Sequence, residues 1–175
     1  MKKSILSILT LLCFSIHCND AICGSISDAE KSVLEYTKAY QNQNWANAAA
    51  YLHPKLLKDM QNQIINIVKK VKKSDRNELL AEFGVKAIKD LEIMSPEQFY
   101  IVNQHRRFKD HKIDPVSMNR LRFEVSSIQI SNDNEYIIKL RSSVDSENMH
   151  EAESITFYVT KFENNWRIVK VIKNN

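Results

Sequence analysis

Two side chains in this sequence stand out as candidates for proton transfer, His53 and Glu153. His53 closes the stretch NWANAAAYLHP, residues 44–54. An imidazole titrates near neutral pH and works as a general base when a carboxylate or carbonyl orients its ring. Glu153 precedes Ile155, Phe157 and Val159 at intervals of two, so on a strand all four share one face. A pocket that brought His53 and Glu153 together would suit an isomerase, a dehydratase or a hydrolase. Each has a plainer reading. His53 sits where one helix stops and the next begins, and a junction residue of that kind fills space and caps a chain end. Glu153 sits at a strand end, and glutamate is rarely buried. Tyr36, Tyr40, Trp45, His53 and Phe123 are the candidate ligand-binding wall, although the same apolar spacing also describes ordinary core.

Other chemistries find less support. The run HRRFKDHK, residues 105–112, holds His105 and His111 six apart. Two ligands on one helix face need a spacing of four, so no metal site is expected. The run suits an anion-binding or partner-docking patch, or simply a solvated loop. Lys69, Lys70, Lys72 and Lys73 crowd the end of a helix, where cations complement the helix dipole; a membrane-surface or anionic-ligand patch is the alternative. There is no glycine-rich phosphate loop, no Gly-x-Ser-x-Gly elbow and no zinc-protease histidine pair, so no cofactor is expected. The net charge of +4 is mild for a nucleic-acid-binding surface, and no nucleic-acid partner is expected.

The elements that must position these residues divide the chain in two. Up to about residue 108 the apolar pattern is helical. Ser27 or Asp28 can cap a first helix whose buried face is Ala29, Val33, Tyr36, Thr37 and Tyr40. Asn44 can cap a short helix from Trp45 to Tyr51. Pro54 suits the first turn of a third, since it has no N–H to leave unpaired. That third helix carries Leu52, Leu56, Met60, Ile64, Val68 and Val71 as its stripe, widened by Leu57, Ile65 and Ile67. Glu78 to Phe83 reads as a short helical piece ended by Gly84. Ser95, Pro96 and Gln98 spell a capping box for a last helix facing the core with Phe99, Val102 and Asn103.

From about residue 121 the period becomes two. Leu121, Phe123 and Val125 alternate with polar residues, and the phase slips at Ser126-Ser127, the mark of a β-bulge. Tyr136, Ile138 and Leu140 follow the turn SNDN, and Trp166 to Val171 follow ENN, residues 163–165. Helices first and an antiparallel meander second predict an α+β fold.

The N-terminus reads as an export leader. Lys2 and Lys3 precede an apolar run from Ile5 to Ile16, shorter than the ~20 residues of a membrane span. Residues 1–23 are therefore expected to be a signal peptide and residues 24–175 a single domain. Ala21, Cys23 or Gly24 can each end the leader. Cys18 admits a lipid anchor, but Ser15-Ile16-His17 is a poor lipobox. All three cysteines, at 13, 18 and 23, lie in this region, so the body must be held by its core and not by disulfides. Periplasmic or secreted localisation follows from this reading.

The order of a tyrosine-bearing helix, a short Trp/Ala helix, LHP and a sheet closing on NNWRIVKV resembles the nuclear transport factor 2-like superfamily (SnoaL-like, cystatin-like α+β cone), in particular its small exported bacterial members. Many members carry Gly-Asp before the tryptophan; this chain has Gln43-Asn44. The resemblance implies N-terminal helices packed on a curved C-terminal antiparallel sheet, a cone-shaped roll with a mouth. Such folds serve isomerases, dehydratases, ligand binders and scaffolds, so fold alone does not choose a function. The expected function is a non-enzymatic envelope protein that binds a small apolar ligand or a protein partner. The alternatives are the cone-pocket enzyme with His53 and Glu153, or a homodimer through the open sheet face if outward residues such as Tyr158 form one apolar patch.

Overall fold

A computed structural model describes residues 20–109, 121–144 and 153–174. The apolar run to Ile16, Cys18 and the His111 end of the basic run lie outside the described residues.

Six helices precede four strands among these residues. Helix α1 spans Asp20–Gln41, so it continues through Ser27 and Asp28 instead of starting there. It ends where Gln43 takes a left-handed φ of 53°, a conformation that favours glycine. Helix α2, Trp45–Ala50, is capped by Asn44, whose Oδ1 accepts the Asn47 N–H at 3.2 Å. Helix α3 spans Pro54–Lys70 with its proline in the first turn.

The buried line of α3 is Leu57, Gln61, Ile65 and Val68. The predicted stripe is therefore rotated: Leu56, Met60 and Ile64 are half-buried, and Ile67 is exposed. Each buried aliphatic side chain on this line contributes about 1.5–3 kcal/mol. Gln61 is fully enclosed. Its amide donates to the carbonyls of Leu91 and Met94 at 2.8 and 2.9 Å, and its oxygen accepts from Lys58 at 2.9 Å. This clamp fixes helix α5, Ile88–Ile93, along α3.

Helix α4 spans Lys73–Glu82, one turn longer at its start than the apolar pattern reveals, because that turn is wholly polar. Gly84 ends it at φ 69°. Helix α6, Pro96–Phe108, starts on the Ser95–Gln98 capping box, with bonds of 3.1 and 3.4 Å.

Strands β1 (Leu121–Asn132), β2 (Glu135–Val144), β3 (Glu153–Phe162) and β4 (Asn165–Asn174) form one antiparallel sheet in the order β1-β2-β3-β4. The bulge falls between Val125 and Ser127. The register also shifts between Ile130 and Asn132 and, with no sequence cue, opposite Tyr158 and Val159 on β4. The β3–β4 turn places Glu163 and Asn164 at φ 47° and 64°, the two positive values of a type I′ hairpin turn.

The cone-shaped roll is not formed. The sheet is an open four-strand ladder whose first and last strands do not meet. It is neither closed nor strongly curled, and helices cover only one face. The larger core lies between that face and α1 and α2, built on Val33, Trp45, Ile138, Leu140, Phe157 and Ile168. A second core of Ile65, Val68, Leu80, Phe83, Leu91 and Phe99 joins α3 to α6 among themselves. The helical layer is thus partly packed on itself, while Leu57 of α3 and Tyr100 of α6 join the larger core.

The outward face of the sheet carries Tyr158, the residue named for the homodimer reading. Tyr158 pairs with Ile137 across the strands, and Ile172, opposite Thr156, lies on the same face; Gln129, Lys139, Thr160 and Lys170 are the polar neighbours by register. Lys170 Nζ lies 5.2 Å above the Tyr158 ring.

Candidate functional site

The site residues expected from sequence fall into three places. Tyr36, Tyr40, Phe123 and Glu153 line one cavity of about 410 Å³ between α1 and the covered face of the sheet. Trp45 lines a different cavity, and His53 lines neither.

The first cavity is built by periodicity on both sides. Tyr36 and Tyr40 are one helical turn apart on α1, and Phe123, Ile155 and Phe157 alternate inward from β1 and β3. The Tyr36 ring meets Phe157 edge-on at 6.0 Å and Tyr40 at the same distance. Thr37 is buried and donates its hydroxyl hydrogen to the Val33 carbonyl at 2.8 Å. The rim is charged: Lys173 Nζ lies 2.8 Å from Glu153 Oε1, with about half of each side chain in solvent.

The tyrosines are held protonated. Burial pushes the Tyr36 hydroxyl well above its ordinary range, helped by the neighbouring Tyr100 and Tyr40. Burial also raises Tyr40, against the pull of Arg107. Tyr100, on α6 and 2% exposed, is pushed up to about 12, again mainly by burial. The Tyr36 and Tyr100 hydroxyls face each other closely enough to couple, yet Tyr100 Oη has no partner in bonding geometry; the two oxygens are neighbours rather than a formed hydrogen bond. Sequence periodicity pointed to Phe99, Val102 and Asn103 as the core face of α6. Tyr100 and Gln104, four apart, are buried as well, and that i, i+4 spacing is the signal that identifies them.

Tyr40 explains why Trp45 is elsewhere. It packs edge-on against Trp45 at 5.2 Å and Phe108 at 5.9 Å. Trp45 and Phe108 stack at 5.0 Å and face a second cavity of about 510 Å³ between α2, α4 and α6. The wall that reads as continuous in sequence is divided by this aromatic cluster.

His53 is a junction residue in geometry. Its Nδ1 accepts the Lys55 N–H at 3.1 Å and caps α3. Its backbone N–H donates to the Ile168 carbonyl at 2.9 Å, and the Ile168 N–H donates to Tyr51 at 2.9 Å. Leu52 thereby forms a parallel bridge on the edge of β4, a contact with no local sequence signal. The imidazole lies 4.6 Å from Phe162, and partial burial, with Lys55 and Arg167 nearby, lowers its proton affinity. Phe162 and Glu153 are the two ends of the 10-residue strand β3, about 30 Å apart at about 3.3 Å per residue. His53 and Glu153 therefore do not form a catalytic pair.

No family model matches the chain, and no curated protein matches it. Among solved structures, the chain is similar to an NTF-2-like protein of unknown function from Shewanella oneidensis MR-1. The identity is 9%, covering 86% of this chain and 99% of that one, at a TM-score of 0.47. At that identity and score the likeness assigns neither a family nor a function. No helix among the described residues is long and apolar enough to cross a membrane.

Proposed function

We propose that this protein binds a small, mostly apolar ligand in the cavity between α1 and the sheet, without transforming it. The observation that carries the reading is the lining: aromatic and aliphatic walls from Tyr36, Tyr40, Phe123, Ile155 and Phe157, with a few hydroxyls, the Gln41 amide and a charged rim as its polar groups. A volume of about 410 Å³ falls within the ~300–1,000 Å³ of small-molecule sites, which have this composition. Tyr36 and Tyr40 keep their protons, so they offer hydrogen bonds to a ligand oxygen and no base. The leader-like pattern from Lys2 to Ile16 supports export as part of the same reading.

The uncharged dye N-phenyl-1-naphthylamine tests the proposal. Its fluorescence is expected to rise saturably with the wild-type chain. Ile155→Trp, which fills the cavity from the strand side, is expected to weaken binding at least tenfold while the circular dichroism spectrum is retained. Equal dye binding by the two proteins, or none by the wild type, would falsify the reading.

A further inference from the structure

The corner between α3 and α4 concentrates the charge of the chain. Residues 69–76 hold Lys69, Lys70, Lys72, Lys73 and Arg76 against one carboxylate, Asp75, an excess equal to the +4 of all 175 residues. Lysines at the end of a helix ordinarily answer its dipole. Here that task is already met. Arg76 reaches back from α4: its Nε donates to the Val68 carbonyl at 3.1 Å, and its Nη2 donates to the carbonyls of Lys69 and Val71 at 2.9 and 3.1 Å.

The lysines are placed at a cost to the fold. Lys72 is the N-cap of α4 and makes no side-chain capping bond, and Lys73 is the first residue of that helix. Cations at a helix N-terminus oppose its dipole. Lys69 is paired with Glu92 at 2.7 Å, with about half of each side chain in solvent. Lys70, Lys72 and Lys73 are exposed, and among the described residues their side chains have no ion pair or hydrogen bond. Like charges this close repel one another, and a counter-charge outside the chain would relieve that repulsion.

The corner also carries apolar surface. Ile67 stands one helical turn before Lys70 and Val71, on the same side of α3, and is 53% exposed. Ile93, next to Glu92, is 74% exposed. Each lysine adds an apolar stem beneath its charge. Its ammonium is a point charge and not the planar fork that grips one phosphate or one base. The combination suits a surface of many anionic headgroups over an apolar layer.

We infer that the α3–α4 corner docks the protein on an anionic lipid bilayer, with Lys70, Lys72 and Lys73 at the headgroups and Ile67 at the acyl boundary. The inference goes beyond the ligand reading and does not rest on it, because none of these residues lines the cavity beside α1.

Partition of the full chain onto vesicles tests it, with phosphatidylcholine alone and with phosphatidylcholine mixed with phosphatidylglycerol. The apolar run from Ile5 to Ile16 meets both vesicles alike, so the ratio of the two partition constants is the readout. One lysine at an anionic surface contributes about fivefold, so three predict a preference of about a hundredfold for the anionic vesicles. That preference is expected to collapse in about 1 M salt, where a charge reaches only about 3 Å. The variant Lys70→Gln/Lys72→Gln/Lys73→Gln is expected to lose at least about tenfold of it and to melt no lower than wild type. Ile67→Ser is expected to weaken binding to the anionic vesicles severalfold. The inference is overturned by equal partition into the two vesicles, by a preference that survives high salt or the triple variant, by a lower melting temperature in that variant, or by an Ile67→Ser chain that binds like wild type. Tighter binding to double-stranded DNA than to the anionic vesicles would also overturn it and assign the corner to a nucleic acid.

Discussion

His53 shows how one side chain can look catalytic in sequence and act structurally in the fold. Its Nδ1 must be unprotonated to accept the Lys55 N–H, and a positive charge at a helix N-terminus opposes the dipole. Its proton affinity is lowered in the folded chain, so the unfolded chain binds the proton more readily. Stability from this residue is therefore complete above the ordinary histidine value of 6.5 and declines as pH falls below it. His53→Ala is expected to cost about 1 kcal/mol at pH 8, the usual worth of an N-cap. His53→Asn, which caps without titrating, is expected to keep that stability and lose this residue's acid-side decline. Urea unfolding of the three proteins between pH 5 and 8 checks both points. The position of His53 at a helix junction was legible from Pro54; its tie to Ile168 was not, because a bridge to a strand more than a hundred residues away leaves no local pattern.

Between elements, the enclosed polar residue matters more than the apolar stripe. The spacing of Leu56, Met60 and Ile64 located α3 but misjudged its innermost line, because Gln61 reads as a surface residue. Its burial is explained only by the carbonyls of Leu91 and Met94, which are unpaired by α5 itself. Gln61→Leu preserves volume but strands both acceptors. The expected cost is about 1–3 kcal/mol, seen as a lower urea midpoint with an unchanged slope. A midpoint equal to wild type would show that α5 is held by Leu91 packing alone. Caps and turns were far more legible: Asn44, Gly84, Ser95 with Gln98, and Glu163-Asn164 act within a few residues of themselves, so their spacing is their structure.

Across the whole molecule, the tyrosine group couples the helices to the sheet. Tyr36, Tyr40 and Tyr100 all hold their protons above the ordinary range. A group with a raised value stabilises the fold below its unfolded value near 10, and that contribution is lost as pH rises toward the folded value. Absorbance titration at the tyrosinate band should show three of the six tyrosines ionising late, Tyr100 near 12, with unfolding setting in on the alkaline side. Tyr100→Phe removes a buried hydroxyl that lacks a partner and is expected to delay that transition. Late ionisation of fewer than three would mean that the α1–α6 contact is looser than described.

The sequence by itself determined the element types apart from helix α5, most of the caps, the two described hairpin turns, one bulge and the inward faces of the strands. It also placed Tyr36, Tyr40, Phe123 and Glu153 on faces that meet at one cavity. Only the tertiary structure decided that the sheet stays open, that Trp45 belongs to a second cavity, that Gln61 is enclosed, and that His53 and Glu153 sit at opposite ends of β3. Periodicity fixes the direction of a side chain from its own helix or strand. It carries no information on which end of another element that side chain will meet, which pairing register and helix packing set over the whole chain.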